Sequence, residues 1–146
     1  MKLTRGFKAA LLGVSLLLYA TGLAAWALAT LARVDDGYGG LQASPWRPPV
    51  LHAHSVAGLV FLVLFGYLWS VHVEPGLKQR KKRRSGLALL AALGVLFLTV
   101  PLLFYASGEN VRFGAAATHT WLGAVALAPF LLHLLTAAKA PGRRRG

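Results

Sequence analysis

Histidine offers the most chemistry in this chain, and four of its five histidines lie inside apolar stretches. His54 and His72 stand at the two ends of one stretch, and His119 and His133 stand on another. An α-helix turns about 100° per residue, so the eighteen residues from His54 to His72 make five whole turns and put both rings on one face. The fourteen residues from His119 to His133 miss alignment by only about 40°. Ionisable side chains are costly at membrane depth and mark functional sites there. A neutral imidazole is a metal ligand through one ring nitrogen. Two helices with two aligned imidazoles each suit two haems held one above the other, His54 with His119 at one level and His72 with His133 at the other.

Those rings need elements to carry them. The chain has 146 residues, 56% of them hydrophobic and 14% charged, which argues against a soluble domain. Four apolar runs, about 9–32, 50–73, 86–106 and 115–138, reach the roughly 20 residues that a spanning helix needs. The expected fold is all-α: an integral membrane four-helix bundle, up-down-up-down, forming one domain over 1–146 with little chain left for a soluble head. The first run has a basic start and an Ala-Leu-Ala near its end, as a secretory signal does. Its apolar length of about 24 residues exceeds the roughly 7–15 of a signal core, so it is expected to stay as a span. The chain has no cysteine. Disulfides, cysteine-ligated clusters and CxxCH haem attachment are thereby excluded. The cofactors expected are two non-covalent haems b with bis-histidine iron.

Charge sets the orientation. Lys2, Arg5 and Lys8 flank the first span, and Lys78, Arg80, Lys81, Lys82, Arg83 and Arg84 fill the loop between the second and third. Lys139, Arg143, Arg144 and Arg145 end the chain. Only Arg33, Arg47 and Arg112 fall on the other side, with Asp35, Asp36 and Glu109. The positive-inside rule then places both termini in the cytoplasm and the spans in the cell's inner membrane. The net charge of +12 is a topology signal whose basic loop also touches anionic lipid. A nucleic-acid partner is not expected.

An internal repeat runs through the spans. Leu17-Leu18-Tyr19-Ala20-Thr21-Gly22 corresponds to Leu103-Phe104-Tyr105-Ala106-Ser107-Gly108, and His54-x3-Gly58 to His119-x3-Gly123. In a bundle of this topology the second and fourth helices run parallel and lie diagonally across the core. Gly58 and Gly123 lie one turn inward from His54 and His119, where a side chain would strike a flat macrocycle. Gly22 or Gly108 could open the flanking helices at that level, and Gly13 or Gly94 lower down. Phe61, Phe65, Ala126 and Phe130 line the faces between the two levels. Close helix packing is the plainer use of any single glycine.

The second and fourth spans resemble the ligand helices of four-helix dihaem b-type membrane cytochromes. That group includes the haem-bearing core of cytochrome b and the membrane anchors of formate dehydrogenase and hydrogenase. The resemblance implies transmembrane electron transfer with a quinone, quinol or redox protein subunit as partner. His119 and His133 keep the fourteen-residue spacing of the cytochrome b core. His54 and His72 depart from it by one turn, about 6 Å of rise, with Leu68 where a fourteen-spacing would fall. A smaller bacterial relative is therefore expected rather than cytochrome b proper.

The remaining polar residues have two readings each. His52 faces about 160° from His54 and reads as interfacial. Pro129 should bend the fourth helix. Arg47 and Arg112 could pair with haem propionates, and Glu109 could take a quinol proton, or all three are interfacial charges. Glu74 is similarly open. The alternative function is a metal-binding or metal-transport protein using the same histidines. Against it, every Asp and Glu lies outside the spans. A structural anchor is the third class. No hydrolytic or transfer chemistry is expected, whether the protein acts alone or as an oxidoreductase subunit.

Overall fold

The computed structural model describes residues 3–78 and 84–138, with side chains described through His133. Most of the basic loop between the second and third spans (80–83), Lys2 and the basic tail residues Lys139 and Arg143–Arg145 lie outside them. The chain forms two compact units, Met1–Arg80 and Lys81–Gly146.

The first unit is an antiparallel helical hairpin. Helix α1 spans Arg5–Thr30, and its start is set by the Thr4 hydroxyl, which accepts the Phe7 N–H at 3.2 Å. The loop after α1 holds two short antiparallel strands. Strands β1 (Val34–Asp35) and β2 (Leu41–Gln42) pair Val34 with Gln42 and Asp35 with Leu41. The turn between them needs left-handed backbone at Gly37 (φ 81°) and Gly39 (φ 87°), which glycine takes without steric cost. Asp35 accepts the Gly37 N–H at 2.7 Å, and Asp36 accepts those of Tyr38 and Gly40 at 2.8 and 2.9 Å. The Ser44 N–H reaches back to the Leu28 carbonyl at 3.0 Å, anchoring the loop to α1.

Helix α2, Arg47–Leu68, opens with Pro48 and Pro49 in its first turn, where the missing N–H costs nothing. It runs into a π-helical turn, Trp69–Val73, in which the Glu74 N–H bonds the Trp69 carbonyl five residues back. A short helix α3, Glu74–Lys78, follows, with an ion pair between those two end residues at 2.7 Å. Contact of Thr21 with His54 near one end of α1, and of Phe7 with Tyr67 (ring centres 4.8 Å apart) near the other, fixes α1 and α2 as antiparallel.

The second unit is also a hairpin, of α4 (Arg84–Tyr105) and α5 (Glu109–Ala138), joined by residues 106–108. Helix α5 begins six residues before the apolar run does. Hydropathy marks where a helix meets lipid, whereas backbone hydrogen bonding carries it on past that point. Pro101 and Pro129 both lie inside helices, each removing one backbone bond.

The all-α class expected from sequence is the observed one. Buried side chains among the described residues are small: Ser15, Ala25, Ser44, Ala57, Thr99, Ala115 and Ala126. Large apolar side chains such as Leu23, Leu59, Val63, Leu98 and Phe104 face outward. Membrane helices pack through small residues and turn large ones to lipid. Four helical segments, Arg5–Thr30, Arg47–Lys78, Arg84–Tyr105 and Glu109–His133, are long and apolar enough to cross a membrane. These are the marks of a multi-pass membrane protein.

Candidate functional site

Each hairpin builds the same setting around one histidine. In the first, His54 Nδ1 lies 3.0 Å from the Thr21 hydroxyl on α1. In the second, His119 Nδ1 lies 2.7 Å from the Thr99 hydroxyl on α4. The glycine four residues beyond each histidine meets the leucine three residues before each threonine. A Cβ at Gly58 would sit 4.0 Å from Leu18 Cδ2, and one at Gly123 would sit 3.9 Å from Leu96 Cδ2. Both are ordinary contact distances, so these glycines face the partner helix of their own hairpin.

The hydroxyls define the proton on each ring. Thr21 Oγ1 lies 2.7 Å from the Leu17 carbonyl, and Thr99 Oγ1 lies 2.7 Å from the Leu96 carbonyl. A carbonyl only accepts, so the single hydroxyl proton goes to it. The hydroxyl oxygen then accepts from Nδ1–H. The Leu18 carbonyl also lies within reach of the Thr21 hydroxyl, at 3.3 Å. This network assigns the Nδ1–H tautomer to both imidazoles, with the lone pair on Nε2. A ring whose Nδ1–H is held in this way is oriented as a neutral Nε2 ligand.

Glycine 22 completes the first setting. A Cβ there would lie 3.1 Å from His54 Cε1 and 3.5 Å from Nδ1, too close for the ring to stay where it is. Gly22 therefore opens α1 at the level the sequence suggested. Gly108 has no such role, since its Cβ would meet Val111 in the first turn of α5, and Gly13 and Gly94 face open space. The repeat accordingly holds in another register. The counterpart of Thr21 is Thr99, because the pairing of α4 with α5 brings Thr99 to His119 and leaves Ser107 in the connecting segment.

The other two histidines sit differently. His133 lies against Gly86 of α4, where a Cβ would be 3.5 Å from its Cε1. His72 is exposed and lies within the π turn. The five-turn alignment of His54 with His72 assumes unbroken α-helix. The π turn over Trp69–Val73 breaks that condition, so the residue count alone no longer assigns His72 to the face of His54. Hairpin register gives a second difference. Phe7 and Tyr67 meet in the first hairpin about as far from its outer histidine as Gly86 and His133 do in the second. His72 lies beyond that level. Between the histidines of α2, Phe61 and Phe65 stack (centres 6.3 Å), and Phe65 meets Trp69 edge-on (6.1 Å). Ala126 is buried on α5.

Among the described residues no three of His, Cys, Asp or Glu converge as a metal-ion site. No protein-family model matches the chain, and neither does any curated protein or solved structure. Sequence reasoning missed Thr99 and Gly86, and noted Thr21 only as part of the repeat. The available signal was a threonine inside an apolar span of the helix preceding each outer histidine.

Proposed function

We propose that this protein is a dihaem b-type cytochrome that passes electrons across the cytoplasmic membrane. His54 and His119 would hold one haem, and His72 and His133 the other. The observation that carries this reading is the twin Thr–His pair, with His54 Nδ1 3.0 Å from the Thr21 hydroxyl and His119 Nδ1 2.7 Å from the Thr99 hydroxyl. The residues present fit a haem: two ring nitrogens of the ligating tautomer, Gly22 clearing space for one ring, and apolar surroundings. When bound, each haem supplies a reversible one-electron iron couple.

The protein's share is binding, orientation and exclusion of water. Thr21 and Thr99 hold the outer rings and their tautomer. Phe61, Phe65, Ala126 and Phe130 provide apolar lining between the two levels. Charge bias makes both termini cytoplasmic, which puts His54 and His119 toward the outer face. The partners that suit such a relay are quinol or quinone and redox protein subunits, within a lipid bilayer.

The test is a reduced-minus-oxidised absorption spectrum with a pyridine haemochrome assay on the purified full chain. Two haems b per chain are expected. One haem, none, or a covalent c-type signature refutes the reading.

A further inference from the structure

One surplus residue is held in the first hairpin's second helix, at its second histidine. The π turn over Trp69–Val73 takes the Glu74 N–H to the Trp69 carbonyl, five residues back, where an α-helix would take it to Ser70. The backbone is helical on both sides, at Leu68 (φ −59°, ψ −33°) and at Glu74 (φ −59°, ψ −49°). The helix is therefore widened and not broken, and single π turns of this kind are frequent at functional sites.

The turn lies where it can move. No side chain of the π turn or of α3 is buried, so little packing opposes a shift. Exchanging i→i+5 bonds for i→i+4 bonds one at a time carries a π turn along a helix without unfolding it. Pro75, the second residue of α3, favours the widened form. In an α-helix its ring would meet the Val71 carbonyl, four residues back, and offer that carbonyl no N–H. Pro101 and Pro129 lie within helices that are α throughout, so this chain also carries proline in the α form. A ligand that prefers one form can then select it.

The place of the turn matters to one side chain above all. Counted as α-helix, His72 lies five whole turns from His54. That alignment requires the surplus residue to fall after His72, whereas the π turn encloses it. We infer that the π turn is a movable register device: carried past His72 into α3, it returns that ring to the face of His54. This rests on the dihaem reading, under which filling the inner haem site selects the shifted form. His54 precedes the turn, so the outer site is untouched.

The experiment compares two deletions in the detergent-solubilised full chain, read by low-spin EPR after loading with haem b. Deleting Ser70 leaves His72 seventeen residues from His54, about 100° out of phase on an α-helix. That variant should lose the inner signal and keep the outer one. Deleting Gly76 removes the surplus after His72 and should keep both signals. Pro75→Ala deletes nothing and should bind the inner haem at least about threefold more tightly, since it lifts a bias against the competent form. Backbone NMR in micelles gives a second readout. A Trp69–Glu74 contact is expected in the apo chain, a Ser70–Glu74 contact in the loaded chain, and a gain of the latter in apo Pro75→Ala. Retention of the inner signal without Ser70, or loss of it in both deletions, overturns the inference and leaves the dihaem reading standing. So does a Trp69–Glu74 contact that persists when both haems are bound. A wild type that binds no haem overturns both. The outer signal reports folding of each deletion, and the Pro75→Ala and NMR arms decide the matter should a deletion fail to fold.

Discussion

Replacing Thr99 by valine tests the twin-site reasoning most directly. Valine keeps the branched shape and removes one hydroxyl. Thr99 is 5% exposed, and its oxygen stands 2.7 Å from both the Leu96 carbonyl and His119 Nδ1. The Leu96 carbonyl keeps a helix hydrogen bond without it, so the loss falls on the ring. A buried N–H left without its acceptor costs about 1–3 kcal/mol. At about 1.4 kcal/mol per tenfold, that is roughly a 5- to 150-fold effect. Loss of an outer-shell partner of a ligating histidine lowers metal affinity by about 10- to 100-fold, the same range. Two assays read it. Nitrogen-15 NMR of the histidine rings in micelles should show His119 leaving a pure Nδ1–H tautomer, and haem titration should show weaker outer-site binding. Thr99→Ser should restore both. If valine leaves tautomer and affinity unchanged, the hydroxyl does not hold the ring. If serine behaves like valine, shape rather than hydrogen bonding is at work. The NMR readout stands whether or not haem is the ligand.

Gly22→Leu should displace His54 and abolish the outer low-spin EPR signal, whereas Gly13→Ala, in open space, should be neutral in thermal unfolding; equal effects of the two would remove the role given to Gly22. The Asp36 carboxyl is held below its usual range by the Tyr38 and Gly40 N–H groups. With the folded value depressed, the turn's ordering is fully present above the ordinary carboxylate range and is lost as pH falls through the lowered value. Amide exchange at Tyr38 and Gly40 should therefore quicken only in acid, and Asp36→Asn should shift or abolish that dependence. The chain contains no cysteine, so single cysteines report topology cleanly. Tyr38→Cys, at a position 97% exposed, should react with an impermeant thiol reagent in intact cells and Lys78→Cys should not; the reverse pattern would invert the proposed orientation.

Much of the fold is legible in the residues taken one stretch at a time. Membrane-length apolar runs dictate helices, because lipid leaves no other partner for a backbone N–H or C=O. Thirteen of the sixteen Lys and Arg residues fall on one side of those runs, which implies an orientation before any contact is known. The matched spacing of His54 and Gly58 with His119 and Gly123 is local too, since it needs only the helical repeat. What the residues alone could not decide is which neighbour each histidine meets. That depends on the register in which two helices pack, a long-range property. Register brings Thr99 to His119 although the repeat pointed to Ser107, and sets Gly22 against His54 while leaving Gly13 in open space. The π turn at Trp69–Val73 is the other decision made above the level of periodicity. A count of residues assumes one constant turn angle, and the π turn ending in the Glu74 N–H bond to Trp69 breaks that assumption on the way to His72.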